Sequence, residues 1–412
     1  MRGGARRVVL TGLGALSCVG SGKESFWRGA LDGRSGIKPL TRFDASAFSC
    51  RIAGQIDDFD PLRYMDSKIA KRTERFTQFS LAAARMAIED AGLDLEGVDR
   101  DRLGVYLGSA IAGLGFAEEQ CENLLQRGVK GVRPTLAISV YGGAAANNVA
   151  LVFGANGPNL GNGNSCASGA IAIGEAARLV ARGDADIMIA GGVDTPLTRL
   201  TFSAFHLLRA MSTRNDDPAT ACRPFDKHRD GFVMAEGAGI VVLEDYESAR
   251  RRGAHVYAEL LGYANTNDAH SMTSPRADAA QTSRCMRMAL QDAACPVESL
   301  GYINAHGSST PLNDSCESRA IRMVIGDARV PVSSTKSAHG HALGASGAME
   351  LILSALALQE GVLPPSHNVF EPDGACDLDL IVDEPRQRRV ERVLSNSFGF
   401  GGINACVVLG RA

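Results

Sequence analysis

Two stretches of this chain read as helices that are apolar nearly all the way round, and they constrain the fold more than any other feature. Ser168-Gly169-Ala170 opens one, which stops at Gly183; Ser346-Gly347-Ala348 opens the other, which stops at Gly361. The first glycine and the last lie 14 residues apart in both, and each helix follows a polar, glycine-containing segment. A helix without a polar face is a central one, buried on every side. So short a match is, alone, weak support for two duplicated halves.

The remaining pattern supplies what could surround such helices. Short β-branched runs (Arg7–Thr11, Leu103–Gly108, Ile187–Ala190, Gly239–Glu244, Gly301–Asn304, Ala405–Leu409) read as strands. Longer periodic stretches (Arg75–Ala91, Gly169–Arg182, Ala279–Ala293, Gly347–Gln359) read as helices. This alternation predicts an α/β architecture with largely buried sheets. At 412 residues the chain can bury a large core, and no Pro- or Ser-rich linker divides it.

Charge and cysteine usage exclude several functional classes. A net charge of −3 gives no global attraction to nucleic acid or an anionic membrane, so a charged partner must meet a local patch. The 10 cysteines form no C-x-x-C pair and no zinc-ligand spacing, which predicts free thiols in a reducing compartment and no bound metal. Arg2, Arg6 and Arg7 before an apolar run superficially resemble a secretory signal, but Gly12 and Gly14 interrupt the run, and a strand entering a glycine turn fits better. No apolar stretch reaches the 18 or so residues of a membrane span. The chain therefore reads as cytoplasmic.

Four segments carry chemistry. In Asn164-Ser165-Cys166-Ala167-Ser168-Gly169 a thiol stands at the junction of a strand-like segment and a buried helix, where the helix N-terminus favours a thiolate. An inert buried cysteine is the competing reading. Ile303-Asn304-Ala305-His306-Gly307-Ser308-Ser309-Thr310-Pro311, followed by Asp314 and Glu317, ends a strand near an imidazole and offers three hydroxyls behind it. A structural, hydrogen-bonded histidine is equally compatible with that segment alone. Lys336 and His341 stand five apart in a Gly-rich approach to the second central helix, with Glu350 able to pair with the lysine. Asn396-Ser397-Phe398-Gly399-Phe400-Gly401-Gly402-Ile403-Asn404 suggests a tight backbone excursion beside a ligand, or a turn closing the last strand pair.

The ordered set resembles the β-ketoacyl-[acyl-carrier-protein] synthases of the ketosynthase II type, including the ketosynthases of type II polyketide systems. Arg223-Pro224-Phe225-Asp226-Lys227-His228-Arg229-Asp230-Gly231-Phe232 and Met272-Thr273-Ser274-Pro275 belong to the same likeness, which runs from Arg7 to Leu409. The resemblance implies a thiolase-like fold of five layers, αβαβα, built from two duplicated halves. One half, 1–250, would carry the nucleophilic cysteine; the other, 251–412, the His/Lys/His residues and the Gly-Phe-Gly-Gly loop. Decarboxylative Claisen condensation with malonyl-[acyl-carrier-protein] is the implied reaction. Cys166 would take the acyl group as a thioester, and His306 and His341 would stabilise the enolate left by decarboxylation. Lys336, held by Glu350, would set the local field, while Phe400 would supply an oxyanion-hole amide and a gating ring. Asp314 and Glu317 would buttress the His306 loop.

Ser308, Thr310, Thr273 and Ser274 would contact the phosphopantetheine arm, and Ile111, Phe205 and Phe400 would line the acyl pocket. No cofactor of the protein's own is implied, since the arm comes with the acyl carrier protein. That acidic partner would meet Lys68, Lys71, Arg72, Arg127, Lys130 and Arg209, with Arg75 and Arg133 as further candidates. A homodimer, or a heterodimer with a homologous chain-length-factor subunit, is implied. His339 stands where the family usually has Thr, Asn164-Ser165 replaces Thr-Ala and Leu312-Asn313 replaces Ala-Gly, which points away from housekeeping fatty-acid synthesis. A thiolase would need a second reactive cysteine in a Gly-rich loop, whereas Cys406 lies in an apolar strand pattern.

Overall fold

The computed structural model describes residues 6–412. Among the described residues twelve strands form one mixed sheet, and eleven of them carry the architecture. The first half supplies β1 (Val8–Ser17), β2 (Leu103–Gly108), β3 (Asn159–Asn162), β4 (Ile187–Asp194) and β5 (Gly237–Asp245). The second supplies β6 (Ala258–Asn267), β7 (Tyr302–Asn304), β8 (Pro331–Ser333), β9 (Asp379–Leu380), β10 (Arg392–Gly399) and β11 (Ile403–Gly410). Their spatial order is β9-β8-β7-β10-β11-β6-β1-β5-β4-β2-β3. Outward from β1 the pairings run antiparallel, antiparallel, parallel, parallel, and outward from β6 the same succession recurs. Within the sheet the halves join where Val9 and Leu10 pair with Glu259 and Ala258.

Six helices complete five layers: α1 (Arg75–Asp90), α2 (Ala144–Phe153), α3 (Ser168–Arg182), α4 (Ala280–Asp292), α5 (Pro311–Ile325) and α6 (Ser346–Glu360). Helices α3 and α6 fill the middle, α1 and α2 cover the outer face of the first half, and α4 and α5 that of the second. Alternate strand residues serve the two sides, as the period of a strand requires. In β5, Val241 and Leu243 face the central helices while Ile240 and Val242 face α1 and α2. In β11, Ala405 and Val407 face inward and Cys406 and Val408 face α4 and α5. Strands buried on both faces lose the polar alternation of exposed sheets.

The sequence echo marks a crossing. A Cβ on Gly169 would lie 3.0 Å from Ala348 Cβ, and one on Gly347 3.0 Å from Ala170 Cβ, so each glycine receives the other helix's alanine. Both helices end on a left-handed glycine, Gly183 and Gly361. The expected turn at Gly12 and Gly14 is not there. Both lie inside β1, where a Cβ would come within 2.0 Å of Ala87 O and Ala83 O respectively, so these glycines let α1 lie directly on the strand. All ten cysteines are free. Among the described residues no helix is long and apolar enough to cross a membrane.

Candidate active site

Cys166 lies in a 3₁₀ turn, Ser165–Ala167, that runs into α3. The duplicate turn, Leu343–Ala345, runs into α6, and His341 stands just before it. Because the two helices cross near their N-termini, the thiol and the imidazole meet: Cys166 Sγ lies 3.1 Å from His341 Nε2. The far nitrogen, Nδ1, is 2.9 Å from Ser346 Oγ in the first turn of α6. A serine hydroxyl both donates and accepts, so it serves either tautomer of that ring.

His306 follows β7 and places its ring 5.3 Å from that of His341, edge to face. Glu317 on α5 holds this loop, accepting from His306 N at 2.9 Å, Gly307 N at 2.7 Å and Asn396 Nδ2 at 3.1 Å. Lys336 is wholly buried and donates to Glu350 Oε1 and, at 2.6 Å, to His306 O. Its Nζ also approaches His306 Nδ1 at 3.4 Å. An unpaired buried ammonium would be costly, and here it has a carboxylate and a carbonyl. Burial, then the Lys336 charge, holds both His306 and His341 well below the ordinary imidazole range, so both rings are neutral at physiological pH.

The thiol differs from expectation. Instead of being lowered by a helix end, Cys166 is pushed up to about 11, chiefly by burial. Helix α3 begins at Ser168, past the cysteine, and desolvation outweighs the pull of Ser165, Lys336 and the Phe400 amide. The resting sulfur is a thiol with an imidazole placed to receive its proton.

Phe400 lies in the three-residue turn between β10 and β11, so the segment is both the strand-closing turn and a wall of the site. Its ring stacks on Phe205 at 6.1 Å, and its backbone amide is near enough to the sulfur to pull the thiol's pKa down. A Cβ on Gly399 would sit 3.0 Å from Cys166 N, so only glycine lets these two backbones come so close. A cavity of about 390 Å³ opens onto Cys166, His306 and His341 and is lined by Phe205, Arg209, Thr273, Ser274, Ser308, Thr310 and Phe400.

Other expected residues lie elsewhere. Ile111 does not line this cavity; it packs in the apolar cluster that contains Cys166, Leu197 and Phe202. Asp314 does not touch the His306 backbone. It accepts from Phe225 N at 2.9 Å and lies 3.7 Å from Arg229 Nε, and Arg229 in turn donates to Thr310 O and Pro311 O. Of the basic candidates for carrier binding, Arg209 lines the cavity, and Lys68, Lys71, Arg72, Arg127 and Lys130 are exposed outside its lining. Arg75 is engaged by the buried Glu236, and Arg133 donates to Lys71 O at 3.0 Å and lies over the Phe116 ring. His339 is buried against Phe26, with Nε2 3.2 Å from Thr335 Oγ1.

Asp194, at the end of β4, went unread in the sequence. It accepts from Ser109 Oγ at 2.5 Å and from the amides of Ala110, Ile111 and Gly344, which ties β2 to the turn before α6. A lone acid closing the apolar run Ile187–Val193 was the available signal.

Comparison with known proteins agrees with this geometry. Residues 5–249 match the family described as "Beta-ketoacyl synthase, N-terminal domain" and residues 257–370 match "Beta-ketoacyl synthase, C-terminal domain". The chain belongs to the β-ketoacyl synthase family. It is 44% identical over 408 residues to 3-oxoacyl-[acyl-carrier-protein] synthase 2 of Coxiella burnetii (strain RSA 493 / Nine Mile phase I), covering 98% of this chain and 99% of that one. It is 45% identical over 401 residues to the Synechocystis sp. (strain ATCC 27184 / PCC 6803 / Kazusa) protein of the same name, covering 97% and 96%. Among solved structures, a ketosynthase complex described as a type II PKS acyl-carrier protein with its ketosynthase bound to the hexaketide superposes with TM-score 0.92 at 37% identity, covering 99% of this chain and 100% of that one. The ishigamide ketosynthase/chain length factor gives 0.92 at 35%, with the same coverage. The αβαβα layering and its internal duplication are thus those of this β-ketoacyl synthase family.

Proposed function

We propose that the protein is a β-ketoacyl-[acyl-carrier-protein] synthase that carries its acyl chain on Cys166 and extends it with malonyl-[acyl-carrier-protein]. The observation that carries the reading is the 3.1 Å approach of Cys166 Sγ to His341 Nε2, within reach of a second neutral imidazole in one cavity. In loading, His341 takes the thiol proton as sulfur attacks the carrier thioester, and the carrier leaves as a thiol. The amides of Cys166 and Phe400 face the oxyanion that forms.

In the second stage the malonyl group loses carbon dioxide, and negative charge develops on the thioester oxygen. Neutral N–H donors from His306 and His341 suit that charge, and Ser346 allows His341 to present a proton at Nε2. The enolate carbon then attacks the acyl group on Cys166 and releases the sulfur. Lys336 acts through position and field, since it touches His306 and not the cavity.

The substrate arm arrives on the acyl carrier protein, with Thr273, Ser274, Ser308 and Thr310 along its path; Ser308 and Thr310 already bond each other at 3.0 Å. Arg209 and the exposed Lys68, Lys71, Arg72, Arg127 and Lys130 supply positive charge for an acidic carrier. Dimerisation is supported by the edge strand β3, whose other edge is unpaired, and by exposed Ile138, Tyr141, Leu151 and Leu160 on neighbouring segments. A homologous chain-length-factor partner is the alternative to a second copy. The ten free thiols suit the cytoplasm.

Intact-mass analysis with acyl-loaded and malonyl-loaded carrier tests the reading. An adduct and a two-carbon-extended product, both lost in Cys166→Ala, are expected. Activity only after adding a homologous partner would identify a heterodimer, and an adduct without extension under either condition would identify an acyltransferase instead.

A further inference from the structure

The sulfur of Cys166 has a polar neighbour beyond His341 and the Phe400 amide. Ser165 Oγ donates to Cys166 Sγ at 3.7 Å, within range for a hydrogen bond to large, polarisable sulfur. Ser165 is held for this contact. Its φ of 51° turns the backbone into the left-handed region, and its carbonyl accepts from Ser168 Oγ at 2.7 Å. Gly399 closes over it, so near that a Cβ there would lie 3.1 Å from Ser165 Cβ.

We infer that Ser165 is a catalytic hydroxyl of this enzyme, donating to the Cys166 sulfur whenever that atom carries charge. The inference rests on Cys166 being the acylated nucleophile. In loading, the sulfur–acyl bond forms as the carrier's carbon–sulfur bond breaks, and the thiol proton passes through His341 to the departing carrier thiol. In condensation, the new carbon–carbon bond forms as the Cys166 sulfur–carbon bond breaks; the sulfur leaves as a thiolate and takes up one proton from solvent. The sulfur is anionic on the way into the first step and on the way out of the second. The hydroxyl is not consumed in either, and a hydrogen bond to a charged acceptor is stronger than one to a neutral acceptor.

Burial alone would hold the thiol far from ionisation. Of the groups that oppose it, Ser165 exerts the largest pull, ahead of Lys336 and the Phe400 amide. Lys336 acts at longer range, from behind His306.

The test is the pH dependence of Cys166 alkylation by iodoacetamide, read by peptide mapping so that exposed Cys121 does not interfere. It compares the wild-type enzyme with Ser165→Ala and Ser165→Gly. Both variants lack the hydroxyl, but glycine adopts a positive φ without strain while alanine does not. The midpoint is expected to rise by about one unit in both, so alkylation near neutral pH slows about tenfold. An unchanged midpoint in both, or a shift in alanine alone, would assign any effect to the backbone and overturn the role. If the wild-type Cys166 resists alkylation at every pH while Cys121 reacts, the nucleophile assignment itself fails, and that result is distinguishable from a shift that is merely absent.

Discussion

Replacing Gly347 with alanine sets two effects against each other at the helix crossing. Within a helix, alanine is favoured over glycine by about 1 kcal/mol. Here the new Cβ would stand 2.5 Å from Ser397 Oγ, 3.0 Å from Ala170 Cβ and 3.1 Å from Ala170 N. Ser397 can rotate away, but the helical backbone of α3 cannot. Overpacking of this kind costs about 1–3 kcal/mol, so the clash wins by about 1 kcal/mol. The catalytic effect is larger. Relief requires α3 and α6 to separate by about 0.5 Å, since ordinary carbon contacts lie near 3.5–4.0 Å. Cys166 and His341 stand at the entrances of those two helices, so the 3.1 Å contact stretches by nearly the same amount. A 1 Å misplacement can cost about a hundredfold in rate, so half of that costs about tenfold. The assay is kcat/KM for condensation beside the melting temperature, with Gly374→Ala as control because nothing lies within 4 Å of a Cβ there. A Gly347→Ala enzyme with unchanged kcat/KM would refute the claim that the crossing sets the catalytic distance.

Further outcomes follow from the same contacts. Burial raises Glu317 to about 7, above its unfolded value of 4.5, so the stability it contributes is full below 4.5 and is lost as pH rises through 7. Its share approaches about 3 kcal/mol, and Glu317→Gln should flatten melting temperature against pH across that window. Arg229→Lys keeps one charge but cannot reach Thr310 O, Pro311 O and Asp373 together; a loss of about 2 kcal/mol by denaturant melts and a raised KM for carrier substrate are expected. Arg209→Glu should raise KM for acyl carrier protein at low salt and leave turnover of a small pantetheine thioester unchanged, because Arg209 is an exposed residue of the cavity rim. Phe400→Ala removes the ring stacked on Phe205, and faster hydrolysis of the acyl-enzyme, followed by intact mass, is its expected signature.

The strands read with bounds in advance were the apolar ones, and the polar segment before Cys166, now β3, was read only as strand-like. Leu103–Gly108 was legible residue for residue, whereas β10, Arg392–Gly399, was hidden because its Ser395, Asn396 and Ser397 are buried polar residues. Asn396 earns that position by bonding Glu317, a partner on another element that no local pattern announces. Ordered motifs made Cys166, His306, Lys336 and His341 visible. Ser346 and Asp194 were not, since a hydroxyl in a repeated Ser-Gly-Ala and an acid ending a strand acquire meaning only when the helix crossing brings their partners to them. Lys68, Lys71 and Arg72 were read with Arg209 as one carrier-facing set; Arg209 lines the cavity and the other three are exposed outside its lining, because sequence carries the sign of a charge and not which face it occupies.

The helix crossing has one more consequence. In the repeat that aligns Gly169 with Gly347, Gly344 occupies the place of Cys166, and Gly163 the place of His341. A single half paired with its own copy would have to put the same side chain on both sides of the axis, so a thiol could meet only a thiol. Two unequal copies in one chain remove that restriction: each keeps the backbone turn, and each brings a different side chain to the axis, a thiol from one and an imidazole from the other. The asymmetry of the chemistry therefore needs the two copies to have diverged within one chain, at the two positions where cysteine and histidine now align with glycine in the repeat.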